Sequence, residues 1–126
     1  IPFEEAVQET FIVGLYVITS GPVPTNPAEL LSSKAMDALI LEAKKTFDII
    51  IIDAPPLLSV SDAQILSNKC DGTLLIVDSG AVEKEVVRKA TAILSTSKAR
   101  ILGVVLNKYV VPRNQHYYYD KKSYME

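Results

Sequence analysis

The sequence predicts an α/β fold with a mainly parallel sheet flanked by helices. Two apolar runs carry that prediction. Ile49-Ile50-Ile51-Ile52 and Leu74-Leu75-Ile76-Val77 have no polar alternation, the pattern of strands covered on both faces. The third observation is what separates them. Stretches with helical apolar spacing alternate with the strand-like runs, as in sheets whose strands are joined in parallel.

Taken in order, residues 4–10 are polar with a few apolar positions and predict a short helix. Residues 12–18 are apolar and β-branched and end at Thr19-Ser20-Gly21-Pro22, which reads as a strand closed by a turn. Pro22-Val23-Pro24-Thr25 is a stiff, extended link. Asn26-Pro27-Ala28-Glu29 is a strong helix start: Asn accepts from free backbone N–H groups, Pro suits the first helical position, and Glu reaches back to the cap. This helix is expected to reach Lys45, with a break near Ser32-Ser33 and Met36, Leu39, Ile40 and Ala43 on one stripe.

Residues 47–53 follow as a strand buried on both faces, stopped by Ala54-Pro55-Pro56. Residues 61–67 read as a short helix capped by Ser61. Residues 73–78 are the next strand. Val82, Val86, Val87, Ala90, Ile93 and Leu94 stripe the helix after it, and residues 101–106 form the last strand. Beyond Tyr109 periodicity ends. The expected organisation is a domain over 1–109 and a flexible, tyrosine-rich tail over 110–126.

A length of 126 residues suits one domain able to bury a real core. A net charge of -2 exerts no general pull on nucleic acid or anionic lipid. Cys70 stands alone, so no internal disulfide and no cysteine-based zinc site can form. It reads as a small apolar residue, suited to a reducing cytosol. His116, the only histidine, reads as surface polarity rather than an acid or base. No apolar run approaches the roughly 20 residues of a membrane span, and the first residues lack the pattern of a signal peptide. The chain opens on Ile1, not Met, so the polypeptide is expected to begin further upstream.

Ligands of open parallel sheets gather beyond the carboxyl ends of the strands. Asp53 stands there, and an apolar strand ending in Asp has the shape of a Walker B element, whose carboxylate holds Mg²⁺ or its water. A turn former or helix cap has the same signature. Asp78 ends the neighbouring strand, with the same two readings. Asp62 opens a helix, where complementing the dipole is explanation enough. Asn107, just past the last strand, suits a base contact or a turn.

The phosphate-binding loop Gly-x-x-x-x-Gly-Lys-[Ser/Thr] is absent: no glycine here is followed five residues later by Gly-Lys. The tail gathers Tyr117, Tyr118, Tyr119 and Tyr124 among Asp120, Lys121, Lys122 and Glu126. Phosphorylation there would add roughly -1.5 to -2 charges per site and switch an interface. A tail without such a use is the other reading.

Several of these pieces together resemble the bacterial tyrosine kinases of capsule and exopolysaccharide operons. They are Leu15-Tyr16-Val17-Ile18-Thr19-Ser20-Gly21, Asn26-Pro27-Ala28-Glu29-Leu30-Leu31, Phe47-Asp48-Ile49-Ile50-Ile51-Ile52-Asp53-Ala54-Pro55-Pro56, Ser61-Asp62-Ala63, Gly103-Val104-Val105-Leu106-Asn107 and the tyrosine cluster. The resemblance covers residues from about 14 onward. It implies a partial P-loop NTPase-like domain with ATP and Mg²⁺ as cofactors, although this chain alone is expected to hold neither tightly. Asp53 would be the Walker B carboxylate, holding Mg²⁺ through water, and Asn107 would lie near the adenine. Tyr117, Tyr118, Tyr119 and Tyr124 would be the phosphoacceptors.

The resemblance also implies partners: neighbouring subunits of a ring, and a membrane-spanning chain-length-control protein as activator. That would place the protein in the cytoplasm at the inner face of the membrane. The family's P-loop and second acidic Walker element lie upstream of the segment resembling residues 4–10. A chain without the strands that carry them is expected to show an open groove or an exposed apolar edge. The alternatives are a non-catalytic phosphoacceptor module and a fragment of a partition-type ATPase.

Overall fold

The computed structural model describes residues 1–110. The tail tyrosines 117, 118, 119 and 124, and His116, lie outside the described residues.

The first helix is shorter than expected. α1 spans Phe3–Ala6, and Gln8–Glu9 (β1) already belongs to an antiparallel pair with Tyr16–Val17 (β2). Thr10 Oγ1 donates to the carbonyls of Ile12 and Leu15 and closes the hairpin, with Gly14 at φ 82° in its loop. Residues 12–18 therefore do not make a long strand of the parallel sheet. Their apolar side chains are exposed, and only two residues pair.

The next two helices follow the sequence closely. α2 (Pro27–Ser32) starts at Asn26, whose Oδ1 accepts from Glu29 N at 3.4 Å while its Nδ2 donates to Glu29 Oε2 at 3.1 Å. The N-cap half of a capping box is present, while Glu29 reaches back to the Asn26 side-chain amide instead of its backbone N–H. Ser33 turns extended (ψ 159°) and its Oγ accepts from Met36 N, so one residue ends α2 and caps α3 (Lys34–Thr46). That is the expected break. Lys44 and Lys45 sit in the last turn of α3, where positive charge complements the helix dipole.

Residues 49–53 correct the expectation of a buried strand. The segment takes no regular secondary structure and pairs with nothing among the described residues, and Ile49 and Ile51 are 80% and 87% exposed. The sequence pattern of a central strand is present without neighbours to complete it. α4 (Asp62–Ser67) follows; Ser61 stands at its cap but makes no side-chain capping bond. β3 (Thr73–Asp78), α5 (Lys84–Thr96) and β4 (Ile101–Asn107) then form a βαβ unit. β3 and β4 pair in parallel from Thr73↔Ile101 to Asp78↔Asn107, with one irregularity after Thr73. At its start Gly72 admits the side chain of Leu102: a Cβ there would lie 2.5 Å from Leu102 Cδ1.

The buried apolar set is small. Among the described residues it comprises Ala43, Leu66, Ala90 and Leu94. α4 packs against α2 and α5. The expected full core is not formed: Leu74 and Ile76 of β3 and Leu102 and Val104 of β4 are exposed.

Candidate functional site

The chemistry-bearing side chains collect at the carboxyl edge, because β3 and β4 run in parallel and end side by side. The register sets Asp78 opposite Asn107. Ser79 N donates to the Asn107 carbonyl at 2.9 Å and extends the ladder by one bond. Lys108 has a positive φ of 56°, and its N–H donates to Asn107 Oδ1 at 2.9 Å. The same backbone turn returns the Lys108 ammonium to Asp78 Oδ2 as an ion pair. Asp78, Asn107 and Lys108 thus form one connected cluster. Lys108 had no signal in the sequence, since only the turn geometry brings it onto Asp78.

This cluster gives Asp78 a structural use. Asn107 spends its side-chain carbonyl on the turn, and its Nδ2 amide makes no bond within the described residues. Asp62 sits half-buried in the first turn of α4. Asp53 differs from all of these. It is exposed, and among the described residues it makes no ion pair and no side-chain hydrogen bond.

Asp53 stands on the wall of a groove of about 970 Å³. Residues 49–56 form one side of that groove, and residues 72–76 with Leu66 and Leu94 line the rest. The expected open groove is therefore present, between the isoleucine run and β3. Cys70 also lines it. Burial first, then the Asp71 carboxylate, push its thiol pKa up, against an opposing pull from Lys44. Lys44 is itself paired with Asp71 at 3.0 Å. Cys70 is held as a thiol, consistent with its reading as a small apolar residue.

As a nucleotide site the residues present are incomplete. Asp53 offers one uncommitted carboxylate at the end of the isoleucine run, suited to an outer ligand of Mg²⁺. Among the described residues no group of three His, Cys, Asp or Glu side chains could hold a metal ion. Nothing in the sequence supplies the Gly-Lys loop that surrounds phosphates.

Known proteins match this arrangement in sequence and in fold. The chain is 48% identical over 121 residues to tyrosine-protein kinase YwqD of Bacillus subtilis (strain 168), across 95% of this chain and 51% of that protein. The chain is homologous to the bacterial tyrosine kinases. The putative tyrosine-protein kinase CapB of Staphylococcus aureus is 35% identical over 117 residues, 93% of this chain and 51% of that protein. The solved kinase domain of VpsO superimposes with a TM-score of 0.81 at 34% identity, over 87% of this chain and 54% of that one. The kinase domain of the Escherichia coli tyrosine kinase ETK gives 0.76 at 30% identity, over 86% and 44%. No protein-family model matches. The P-loop NTPase-like fold class is thereby shown, and the chain spans about half the length of the curated relatives it matches.

Among the described residues, no helix of this tyrosine-kinase relative is long and apolar enough to cross a membrane.

Proposed function

We propose that this chain is the acceptor-bearing part of a bacterial protein-tyrosine kinase of capsule or exopolysaccharide synthesis. The observation that carries the reading is the match to YwqD over nearly the whole chain, with Asp53 exposed and uncommitted on the groove wall. Asp53 acts as the Walker B carboxylate and holds Mg²⁺ through water. The metal, when bound with ATP, neutralises charge on the phosphates being transferred. Asn107 offers its free amide toward the adenine. Tyr117, Tyr118, Tyr119 and Tyr124 are the phosphoacceptors. The domain occupies residues 1–109 and the acceptor tail residues 110–126.

The chain supplies no phosphate-holding loop, so transfer requires a further part of the kinase. Its partners are other kinase subunits and a membrane-spanning chain-length-control activator, and its place is the cytoplasmic face of the membrane. The missing loop also favours a second reading, a phosphoacceptor module with no catalytic share. The relatives above are tyrosine kinases, which favours either reading over a partition-type ATPase.

The test mixes the chain with Mg²⁺ and radiolabelled ATP, alone and with full-length YwqD. The expected result is no label on the chain alone and label in the mixture. That label disappears when Tyr117, Tyr118, Tyr119 and Tyr124 are all changed to Phe. Label on the chain alone would refute the claim that transfer needs another part. Label that survives the Phe changes would refute the tail assignment.

A further inference from the structure

The turn after β4 runs against ordinary backbone preference. Lys108 has φ 56°, in the left-handed region that glycine and asparagine enter readily and lysine does not. A residue held there is supported by its surroundings and points to a use. Two contacts give that support. The Lys108 N–H donates to Asn107 Oδ1 at 2.9 Å, and the Lys108 ammonium pairs with Asp78 across the two strand ends. The Asn107 backbone is fixed as well, since its carbonyl accepts from Ser79 N at 2.9 Å. A side-chain amide can present its oxygen and nitrogen in either order. Here the turn sets the order: with the amide reversed, Nδ2 would face the Lys108 N–H, donor against donor. Asn107 is exposed, and its Nδ2 and the second lone pair of Oδ1 have no partner among the described residues.

We propose that Asp78 and Lys108 are positioning residues that lock the Asn107 amide in the order that reads a 6-aminopurine and refuses a 6-oxopurine. The inference rests on the reading of Asn107 as the adenine contact, and adds what orients that contact. An asparagine side chain forks onto adenine, its oxygen accepting from the 6-amino group and its nitrogen donating to the adjacent ring nitrogen. A 6-oxopurine such as guanine carries an acceptor where adenine carries the amino group, so the locked Oδ1 meets a second oxygen. An amide free to turn over would serve either base, by offering Nδ2 to the 6-oxo group. Selectivity therefore lies in the lock and not in Asn107 alone. The Asp78–Lys108 pair is too solvated to add much stability, with side chains 34% and 69% exposed. Its use is geometric: it holds Lys108 in the left-handed turn that aims the N–H at Oδ1. Glycine would take the same φ without an ion pair.

The test titrates the isotope-labelled chain with millimolar adenosine and, separately, inosine, whose 6-position carries oxygen in place of the amino group. NMR follows the Asn107 side-chain amide and the Lys108 N–H. Neither nucleoside carries a phosphate, so the absent phosphate loop does not enter. The expected result is a preference for adenosine of at least roughly fivefold, the low end for a forked amide contact. Asp78→Asn and Lys108→Ala each lower that ratio to under about twofold, as expected for an amide free to turn over. Lys108→Arg keeps the ion pair and the preference. In the double variant Asp78→Asn/Lys108→Gly the turn no longer needs the pair, and the preference returns; a merely structural loss would not be rescued in this way. Lys45→Ala, which removes an exposed ion pair to Glu42 on α3, leaves the ratio unchanged. Response to neither nucleoside would remove Asn107 from the base site, and the proposal with it. Equal response to both in the parent would overturn the proposal and leave the adenine reading standing. So would a parent-like ratio in Asp78→Asn and Lys108→Ala, or failure of the glycine variant to restore it.

Discussion

Residues 49–53 and β3 carry nearly the same sequence signal and end in different states. Each is an uninterrupted apolar run closed by aspartate. β3 has β4 beside it and forms a six-residue ladder; among the described residues the isoleucine run has no strand partner, and Ile49 and Ile51 are exposed. The aspartates diverge in the same way. Asp78 is tied to Lys108 through a turn that the βαβ unit creates, whereas Asp53 remains uncommitted. Composition alone therefore does not make a strand. The ladder is a property of neighbours.

The comparison between buried and exposed apolar residues makes its strongest prediction at Leu94, which is 2% exposed. Leu94→Ala should cost about 2–5 kcal/mol, because it removes buried contacts and leaves a cavity. In urea denaturation this should appear as the largest loss of any single truncation considered. Asn26→Ala removes the N-cap of α2 and should cost about 1 kcal/mol, readable in the same titration. Lys108→Met, which leaves Asp78 without its partner, should cost under about 1 kcal/mol, since both side chains are partly solvated. Ile51→Ala, at an exposed position, should change stability by no more than about 0.5 kcal/mol. If Ile51→Ala proved as costly as Leu94→Ala, the contrast would collapse.

Cys70 gives a pH signature on the groove wall. Its folded pKa is raised, so the fold binds the proton more tightly than the unfolded chain does. The associated stability is complete below the unfolded thiol pKa and fades as pH rises from there through the folded value. Alkylation by iodoacetamide near pH 8 should be slower in the folded chain than in urea. A folded rate equal to or above the unfolded one would contradict a thiol held protonated by burial.

Local chemistry was the legible part. The Asn26 N-cap, the break at Ser33, the β3–α5–β4 unit and the carboxyl-edge placement of Asp78 and Asn107 are all set by residues close in sequence or by one crossover. What could not be read depends on distant neighbours. Residues 12–18 looked like a strand but supply only Tyr16–Val17 to a hairpin with β1. The isoleucine run looked buried because its sequence suits a sheet with two neighbours. Lys108 was invisible because its contact with Asp78 arises from backbone conformation at φ 56°. The open groove was foreseen from the missing loop, which is where the resemblance to the tyrosine kinases contributed most.

The most direct measurement compares amide exchange at residues 49–53 with that at β3 in this chain. The account predicts fast exchange at 49–53 and protection along the β4-facing edge of β3 in the free chain. Protection of residues 49–53 equal to that of β3 would contradict the claim that an apolar run forms a strand only with a paired neighbour.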